Sequence, residues 1–122
     1  MITLRELDDH VTYQEQLTRQ AAPIVLVNAF HVAPGDGTAL VTAWADDAAL
    51  MKGRPGYIST QLLRGIAGSG SFVNIAVWES AAALRDAFTA PEFQATLSRY
   101  PRGTVASPHV FQKVAVPGIC LG

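Results

Sequence analysis

The sequence predicts an α+β domain, and three observations support this class. Four segments rich in β-branched and aromatic residues alternate with segments whose apolar residues recur at helical spacing. Clusters of Gly and Pro separate the segments, as expected for turns. The chain has 122 residues, of which 49% are hydrophobic and 16% charged, and this length is typical of a single domain.

The first half of the domain is predicted to be a strand followed by a helix. The run IVLVNAFHVA, residues 24–33, is β-branched and apolar, and PGDG ends it. Residues 38–52 are predicted to form a helix that stops at GRPG. Its apolar residues recur at helical spacing: Leu40, Val41, Trp44, Ala48 and Met51.

The second half is predicted to be a hairpin, a helical region and a last strand. YISTQLLR (57–64) and FVNIAVW (72–78) are strands joined by the flexible turn GIAGSGS. Ser80 caps a helix that runs to about Phe88, and Pro91 lies in the first turn of another helical piece. PHVFQKVAV (108–116) is the last strand. The resulting β-α-β-β-α-β order is the ferredoxin-like arrangement.

Shorter segments flank this domain. Residues 1–22 are polar and are interpreted as an N-terminal arm, in which T-x-x-E at Thr12 resembles a capping box and predicts a short helix. Residues 23–117 are assigned to the domain and 118–122 to a C-terminal tail. In the ferredoxin-like arrangement the first and third predicted strands are central neighbours, and the helices cover one sheet face.

The opposite sheet face is predicted to form a homodimer. Its apolar side chains would not be left in water, and a small domain has a poor surface-to-volume ratio. Packing this face against the same face of a second copy is a two-fold symmetric solution. His31 is then expected to be an interface histidine. The residues of this outer face on the two central strands are Val25, Val27, Ala29, His31, Val73, Ile75 and Val77.

Charge and composition exclude several classes of partner. The formal net charge is −1 and basic residues are not clustered, so neither nucleic acid nor an anionic membrane is an expected partner. No run approaches the roughly 18 apolar residues that a membrane span needs, and MITLRELDDH lacks the apolar stretch of a signal peptide. A cytoplasmic location is predicted. The single Cys120 and three scattered His residues predict neither a disulfide nor a metal site.

The helix-covered face is predicted to carry two amides and an indole close together. Asn28 lies on the first strand and Asn74 and Trp78 on the third, and alternation places all three on one face. Their polar atoms need partners, because an unpaired buried polar group costs about 1–3 kcal/mol. They either bond one another and the backbone or bind a ligand in an apolar pocket. The predicted substrate-contacting wall residues are Phe30, Trp44, Tyr57, Phe72 and Phe88.

The motif N-x-A-x-W-E-S, residues 74–80, resembles the antibiotic biosynthesis monooxygenase family of small dimeric α+β barrels. PGYIS (55–59) and F-x-x-P-E-F (88–93) fit the same pattern, and the resemblance covers about residues 24–116. It implies a homodimer acting on a small aromatic substrate. The best understood members are cofactor-free monooxygenases that convert anthrone-type polyketide phenols into quinones with O₂.

This resemblance implies roles for two residues. In the family reaction the deprotonated aromatic passes an electron to O₂, the radicals recombine and the peroxide loses water, while the protein orients and hydrogen-bonds the substrate. By resemblance, Asn74 holds an enolate oxygen and Trp78 donates its indole N–H, so both are predicted to be catalytic. Those enzymes also use a Tyr in the next helix, where this chain has Leu84, and a later Arg, near which Arg99 lies.

Other functions are considered beside this one. A second branch of the family degrades haem with a first-strand Asn, which Asn28 matches, but its helical Trp and His positions carry Ala87 and Leu97 here. This departure argues against haem. Two alternatives stay open: a non-catalytic binding or accessory dimer for a small apolar ligand, and an isomerase of small carbonyl compounds. Leu84 at the Tyr position favours these two.

Overall fold

The computed structural model describes residues 2–122 and confirms the α+β class. Five strands form one sheet in the order β1-β5-β2-β4-β3. The elements in chain order are β1 (Thr3–Leu4), α1 (Tyr13–Gln16), β2 (Ile24–His31), α2 (Gly37–Lys52), β3 (Tyr57–Arg64), β4 (Ser71–Trp78), α3 (Ala81–Phe88), α4 (Pro91–Thr96), a 3₁₀ turn (Leu97–Arg99) and β5 (Val105–Phe111).

The centre of the sheet is the antiparallel pair β2 and β4, as the ferredoxin-like order predicts. Asn28 lies directly opposite Asn74 in this pair, and Ile24 lies opposite Trp78. β3 pairs with the other side of β4, and β5 with the other side of β2, in both cases antiparallel. The first and third predicted strands are therefore neighbours, and their side-chain alternation is in phase.

The edge beyond β5 differs from the prediction in two respects. β1 adds a short parallel edge strand, with Thr3 opposite Val105. The last strand is Val105–Phe111 and not 108–116, because its pairing with β2 ends where Phe111 meets Val25. Pro108 lies inside this strand, beyond the reach of β1, where a missing backbone N–H costs no sheet hydrogen bond.

Two helix starts, those of α1 and α3, follow the predicted side-chain caps. The Ser80 Oγ accepts a hydrogen bond from the Ala83 N–H at 3.0 Å and begins α3. The Thr12 Oγ1 accepts from the Glu15 N–H at 3.1 Å and begins α1. Pro91 occupies the first turn of α4, where its missing N–H is tolerated. These short local signals fix where the helices start over the sheet.

The core lies between the sheet and the helices. Most inward-facing residues of β2 and β4 are buried, among them Ile24, Phe72 and Trp78, each 1% exposed, while Asn28 and Asn74 are half-buried. Tyr13 and Leu17 of the N-terminal segment join the cluster that contains Trp78 and Leu84. The segment before β2 is therefore packed into the core at these two side chains.

The outer sheet face stays partly open to solvent. Ile75 is 36% exposed, and Val27 and Val73 are half-buried. Neighbouring strands extend this apolar surface with Leu63 on β3 and Phe111 on β5, both exposed. Over residues 2–122, every helix is too short or too polar to span a membrane.

Candidate active site

A cavity of about 60 Å³ lies between the sheet and the helices. Its floor comes from the inward face of β2, β3, β4 and β5, and its walls come from α1, α2, α3 and α4. Most of the wall is apolar. The polar or partly polar residues that line it are Tyr13, Asn28, Asp47, Tyr57, Thr60, Asn74 and Trp78.

The structure brings together most of the residues that the sequence singled out. Asn28, Asn74 and Trp78 all border this cavity, which follows from the β2–β4 register. The other predicted wall residues that line it are Phe30, Trp44, Tyr57 and Phe88.

Phe72 is the exception among the predicted wall residues, because it is not part of the cavity lining. It is 1% exposed and packs in a second core cluster with Leu40, Phe30 and Tyr100. The Arg64 guanidinium lies 5.2 Å from its ring centroid. Phe72 shares the inward face with Asn74, but the start of α2 fills the space above it, so its predicted contact with a substrate is not supported.

Polar atoms of the cavity lack partners inside the protein. Trp78 Nε1 and Asn28 Oδ1 are buried without a hydrogen-bond partner among residues 2–122. Asn74 differs, because its Oδ1 accepts from the Thr60 Oγ1 at 2.5 Å, which leaves its NH₂ end as the donor for a ligand. Unpaired buried groups of this kind cost about 1–3 kcal/mol each. All three residues line one cavity, where a bound ligand would be able to pair these groups.

Tyr57 lines the cavity and directly follows a glycine that packs tightly against α3. Gly56 has φ +88°, and a Cβ built there would lie 2.4 Å from the Ala83 Cβ on α3. Only glycine tolerates both conditions without strain. Gly56 therefore approaches α3 closely, and the adjacent Tyr57 ring packs edge-on against Trp78, with centroids 5.6 Å apart.

A buried carboxyl group on the cavity wall was not predicted from the sequence. Asp47 of α2 is 8% exposed, and its Oδ2 accepts a hydrogen bond from the Tyr100 Oη. Burial raises the pKa of Asp47 to about 7, with a smaller increase from the nearby Asp46, while the Tyr100 hydrogen bond acts in the opposite direction. The Asp47 carboxyl can therefore take up or release a proton near neutral pH. Its spacing from Trp44 and Met51, three and four residues, was the available signal.

Other candidate residues lie away from the cavity. Leu84 is fully buried in the core beside Trp78, so no phenol enters from that position. Arg99 forms an exposed ion pair with Asp46 at 3.3 Å. His31 is exposed near Ser71, and His109 is buried against Gln16. In the described part of the chain, no group of three or more His, Cys, Asp and Glu residues is arranged to hold a metal ion.

Comparison with known proteins decides the family. Residues 23–99, more than half of the chain, match the family model described as antibiotic biosynthesis monooxygenase. The chain belongs to the antibiotic biosynthesis monooxygenase family. This confirms the resemblance seen in N-x-A-x-W-E-S, PGYIS and F-x-x-P-E-F. A search of curated proteins finds no match.

Several solved structures share the fold of this chain. SnoaB, a cofactor-independent oxygenase from Streptomyces nogalater, is 28% identical with a TM-score of 0.72, over 80% of this chain and 99% of its own. A candidate monooxygenase from Shewanella loihica PV-4 is also 28% identical, with a TM-score of 0.66 and the same coverage. Rv0793 from Mycobacterium tuberculosis, at 17% identity and TM-score 0.63, supports the fold alone.

The raised pKa of Asp47 predicts a pH dependence of stability. The folded state holds this proton up to about pH 7, whereas the unfolded value is 3.8. The free energy of unfolding should therefore fall by about 2–3 kcal/mol between pH 5 and pH 8 through this residue. Urea denaturation of the wild type and Asp47→Asn at both pH values measures it. The Asn variant should lose that pH-dependent fall.

The matched control is Asp86→Asn, which removes an exposed carboxylate of α3. It should keep the wild-type fall in unfolding free energy. If Asp47→Asn retains the same fall, the carboxyl is not protonated in the folded protein and the prediction is wrong.

Proposed function

We propose that the protein is a cofactor-independent monooxygenase that oxidises a phenolic or polycyclic aromatic substrate with O₂ to a quinone. The observation that carries this proposal is the convergence of unpaired Trp78 Nε1, unpaired Asn28 Oδ1 and the Asn74 amide on one apolar cavity. Membership of the monooxygenase family and the likeness to a cofactor-independent oxygenase support it. An aromatic ring system fits the apolar walls, and oxygen substituents on it can pair with the polar groups.

Each polar group has a separate task in this proposal. Trp78 donates its indole N–H to a substrate oxygen. Asn74 donates from its NH₂ end to the oxygen that gains negative charge, because Thr60 already occupies its carbonyl oxygen. Asn28 Oδ1 accepts a hydrogen bond from a substrate hydroxyl. Donors fixed in advance at a developing oxyanion stabilise it most in a dry cavity.

Asp47 is the base of the proposed reaction. It removes a proton from the bound phenol or enol, and Tyr100 holds the carboxylate in place. The electron-rich anion gives one electron to O₂, and the substrate radical and superoxide combine to a peroxide. The peroxide loses water to form the new carbonyl. For anthrone, the balance is anthrone plus O₂ giving anthraquinone plus water.

Entry to the cavity is proposed to pass Met51 and Phe93. Both residues line the inner cavity and also an outer groove of about 410 Å³ between α2 and α4. The Arg54–Glu92 ion pair, at 2.9 Å, borders this groove. The inner cavity of about 60 Å³ is smaller than the roughly 300–1,000 Å³ of ligand pockets. Rotation of the flexible Met51 side chain would join the two spaces and admit a larger ring system.

Two other functions are favoured by particular observations. The absence of a phenol at Leu84 favours the alternative of a ligand-binding or accessory dimer without turnover. Asp47 beside hydrogen-bond donors also suits an isomerase of small carbonyl compounds, which moves a proton without using O₂. Oxygen consumption separates both from the monooxygenase, because neither consumes O₂.

The homodimer is proposed to form through the outer sheet face. Val27, Val73 and Ile75 lie on adjacent central strands and are only partly buried in one chain. Contact with the same face of a second copy would remove this apolar surface from water. Each copy would keep its own cavity on the opposite side of the sheet.

Aerobic oxidation of anthrone tests the proposed reaction. The wild type should accelerate anthraquinone formation and consume one O₂ per product without added flavin or metal. Trp78→Phe, Asn74→Ala and Asp47→Asn should each lower kcat/KM about 10- to 100-fold, since each removes one donor or the base. Absorbance and an oxygen electrode measure these rates.

Thr42→Ala and Asp86→Asn are the controls for this assay, because both residues are exposed and lie outside the cavity. They should oxidise anthrone at the wild-type rate. If the wild type oxidises anthrone no faster than buffer alone, the monooxygenase proposal is wrong. If anthrone then binds tightly without turnover, the protein is the ligand-binding dimer.

Met51→Ala tests the proposed entrance. Removing this side chain should join the inner cavity to the outer groove and lower KM for anthrone about two- to tenfold. Leu50→Ala is the matched control, since Leu50 lines the outer groove alone. Steady-state kinetics with both variants measure the effect, and equal KM values for wild type and Met51→Ala would contradict this route.

A lysine on the outer face tests the homodimer. The wild type should elute at the mass of two chains in size-exclusion chromatography with light scattering. Ile75→Lys should give single chains, because each copy would bury a charged lysine in the apolar interface. Val41→Lys changes a similarly exposed apolar residue on α2 and should stay dimeric. Dimers of Ile75→Lys would show that another surface is used.

A further inference from the structure

The N-terminal segment places a phenol in the cavity. Tyr13, the first residue of α1, is 4% exposed and borders the same cavity as Asn28, Asn74 and Trp78. Its ring lies edge-on against Phe88, with centroids 5.1 Å apart. Its hydroxyl is buried and has no hydrogen-bond partner within residues 2–122. A buried hydroxyl in this state needs an explanation, and a ligand supplies one.

Hydrogen bonds hold this phenol in place. The Gln16 side chain makes two hydrogen bonds to the backbone of β5, on the edge that faces away from β2. Its Oε1 accepts from the Val110 N–H at 2.8 Å, and its Nε2 donates to the Val110 carbonyl at 3.0 Å. The backbone N–H of Tyr13 donates to Glu6 Oε1 at 2.8 Å. With Thr12 capping the helix start, α1 is fastened on both sides of Tyr13.

Tyr13 lies outside the part of the chain that matches the family. The family match begins at residue 23, so this phenol belongs to a segment that precedes it. Inside the matched part, Leu84 is fully buried and brings no polar group to the cavity. The N-terminal segment therefore brings the Tyr13 hydroxyl to the cavity, whereas Leu84 of the matched part brings none.

We infer that Tyr13 is a substrate-binding residue whose hydroxyl hydrogen-bonds an oxygen of the bound aromatic. This inference rests on the proposed aromatic substrate and makes it more specific. Trp78 and Tyr13 both line the cavity. In this proposal the indole N–H and the phenol bind separate oxygens, so the expected substrate carries at least two oxygen substituents. Burial raises the pKa of the Tyr13 phenol, so the hydroxyl stays protonated and acts as a hydrogen-bonding group, while Asp47 remains the base.

Binding of 1,8-dihydroxyanthraquinone tests this role, because this compound resembles a product and is not itself oxidised. Tyr13→Phe keeps the ring against Phe88 and removes the hydroxyl alone. It should weaken binding about three- to tenfold, measured by quenching of tryptophan fluorescence. The melting temperature of the free protein should stay the same or rise, since an unpaired buried hydroxyl has been removed.

Two further variants separate binding from folding. Gln16→Ala removes the fastening to β5 without touching the cavity and should also weaken binding of the dihydroxyquinone. Gln14→Ala changes an exposed neighbour on the same helix and should leave it unchanged. Equal affinity of Tyr13→Phe and wild type overturns the inference, and so does a wild type that does not bind this quinone.

Failure of the proposed function gives a different result. One possible result is that the wild type binds the dihydroxyquinone and Tyr13→Phe weakens that binding, but anthrone is not oxidised. The monooxygenase proposal is then wrong, and the binding role of Tyr13 is supported. If anthrone is oxidised and Tyr13→Phe binds like the wild type, the role of Tyr13 alone fails.

Discussion

The antiparallel pairing of β2 with β4 is the constraint on which the rest of the structure depends. It sets Asn28 opposite Asn74 and Ile24 opposite Trp78, so polar and aromatic groups of two strands meet on one face. Side chains alternate with a period of two, so a slip of one residue in either strand would turn its inward set outward. The same register gathers the valines of both strands on the outer face. Cavity and candidate interface are therefore two consequences of one pairing.

The cavity keeps polar atoms unpaired at a cost in stability. Trp78 Nε1, Asn28 Oδ1 and the Tyr13 hydroxyl each lose hydrogen bonds to water on folding without gaining one among the described residues. A core selected for stability alone would replace them with apolar groups of similar shape. Their presence beside Asp47, a carboxyl that burial makes less acidic, is the combination expected at a ligand site.

Local patterns of the sequence predicted the sheet and the part of the site that lies on it. Alternation within SFVNIAVW placed Asn74 and Trp78 on one side, and the β-α-β-β-α-β order brought Asn28 beside them. Tyr13 was not predicted, because its position depends on long-range hydrogen bonds between Gln16 and the edge of β5. Phe72 lies outside the cavity lining for a related reason: the sequence places it on the inward face but does not show that the start of α2 covers it.

Asp47 shows what a helix can hide from sequence reasoning. It follows Asp46, and only the structure separates their roles: Asp46 pairs with Arg99 at the surface, whereas Asp47 turns inward to Tyr100. Because a helix rotates by about 100° per residue, two adjacent aspartates point in different directions, one into solvent and one into the core. Burial then raises the pKa of the inner carboxyl towards neutrality and keeps the phenols of Tyr13 and Tyr100 protonated. The cavity thus combines one group that can accept a proton with hydroxyl, indole and amide groups that keep their protons. A phenol or enol substrate that is deprotonated and then held as an anion needs both a base and hydrogen-bond donors of this kind.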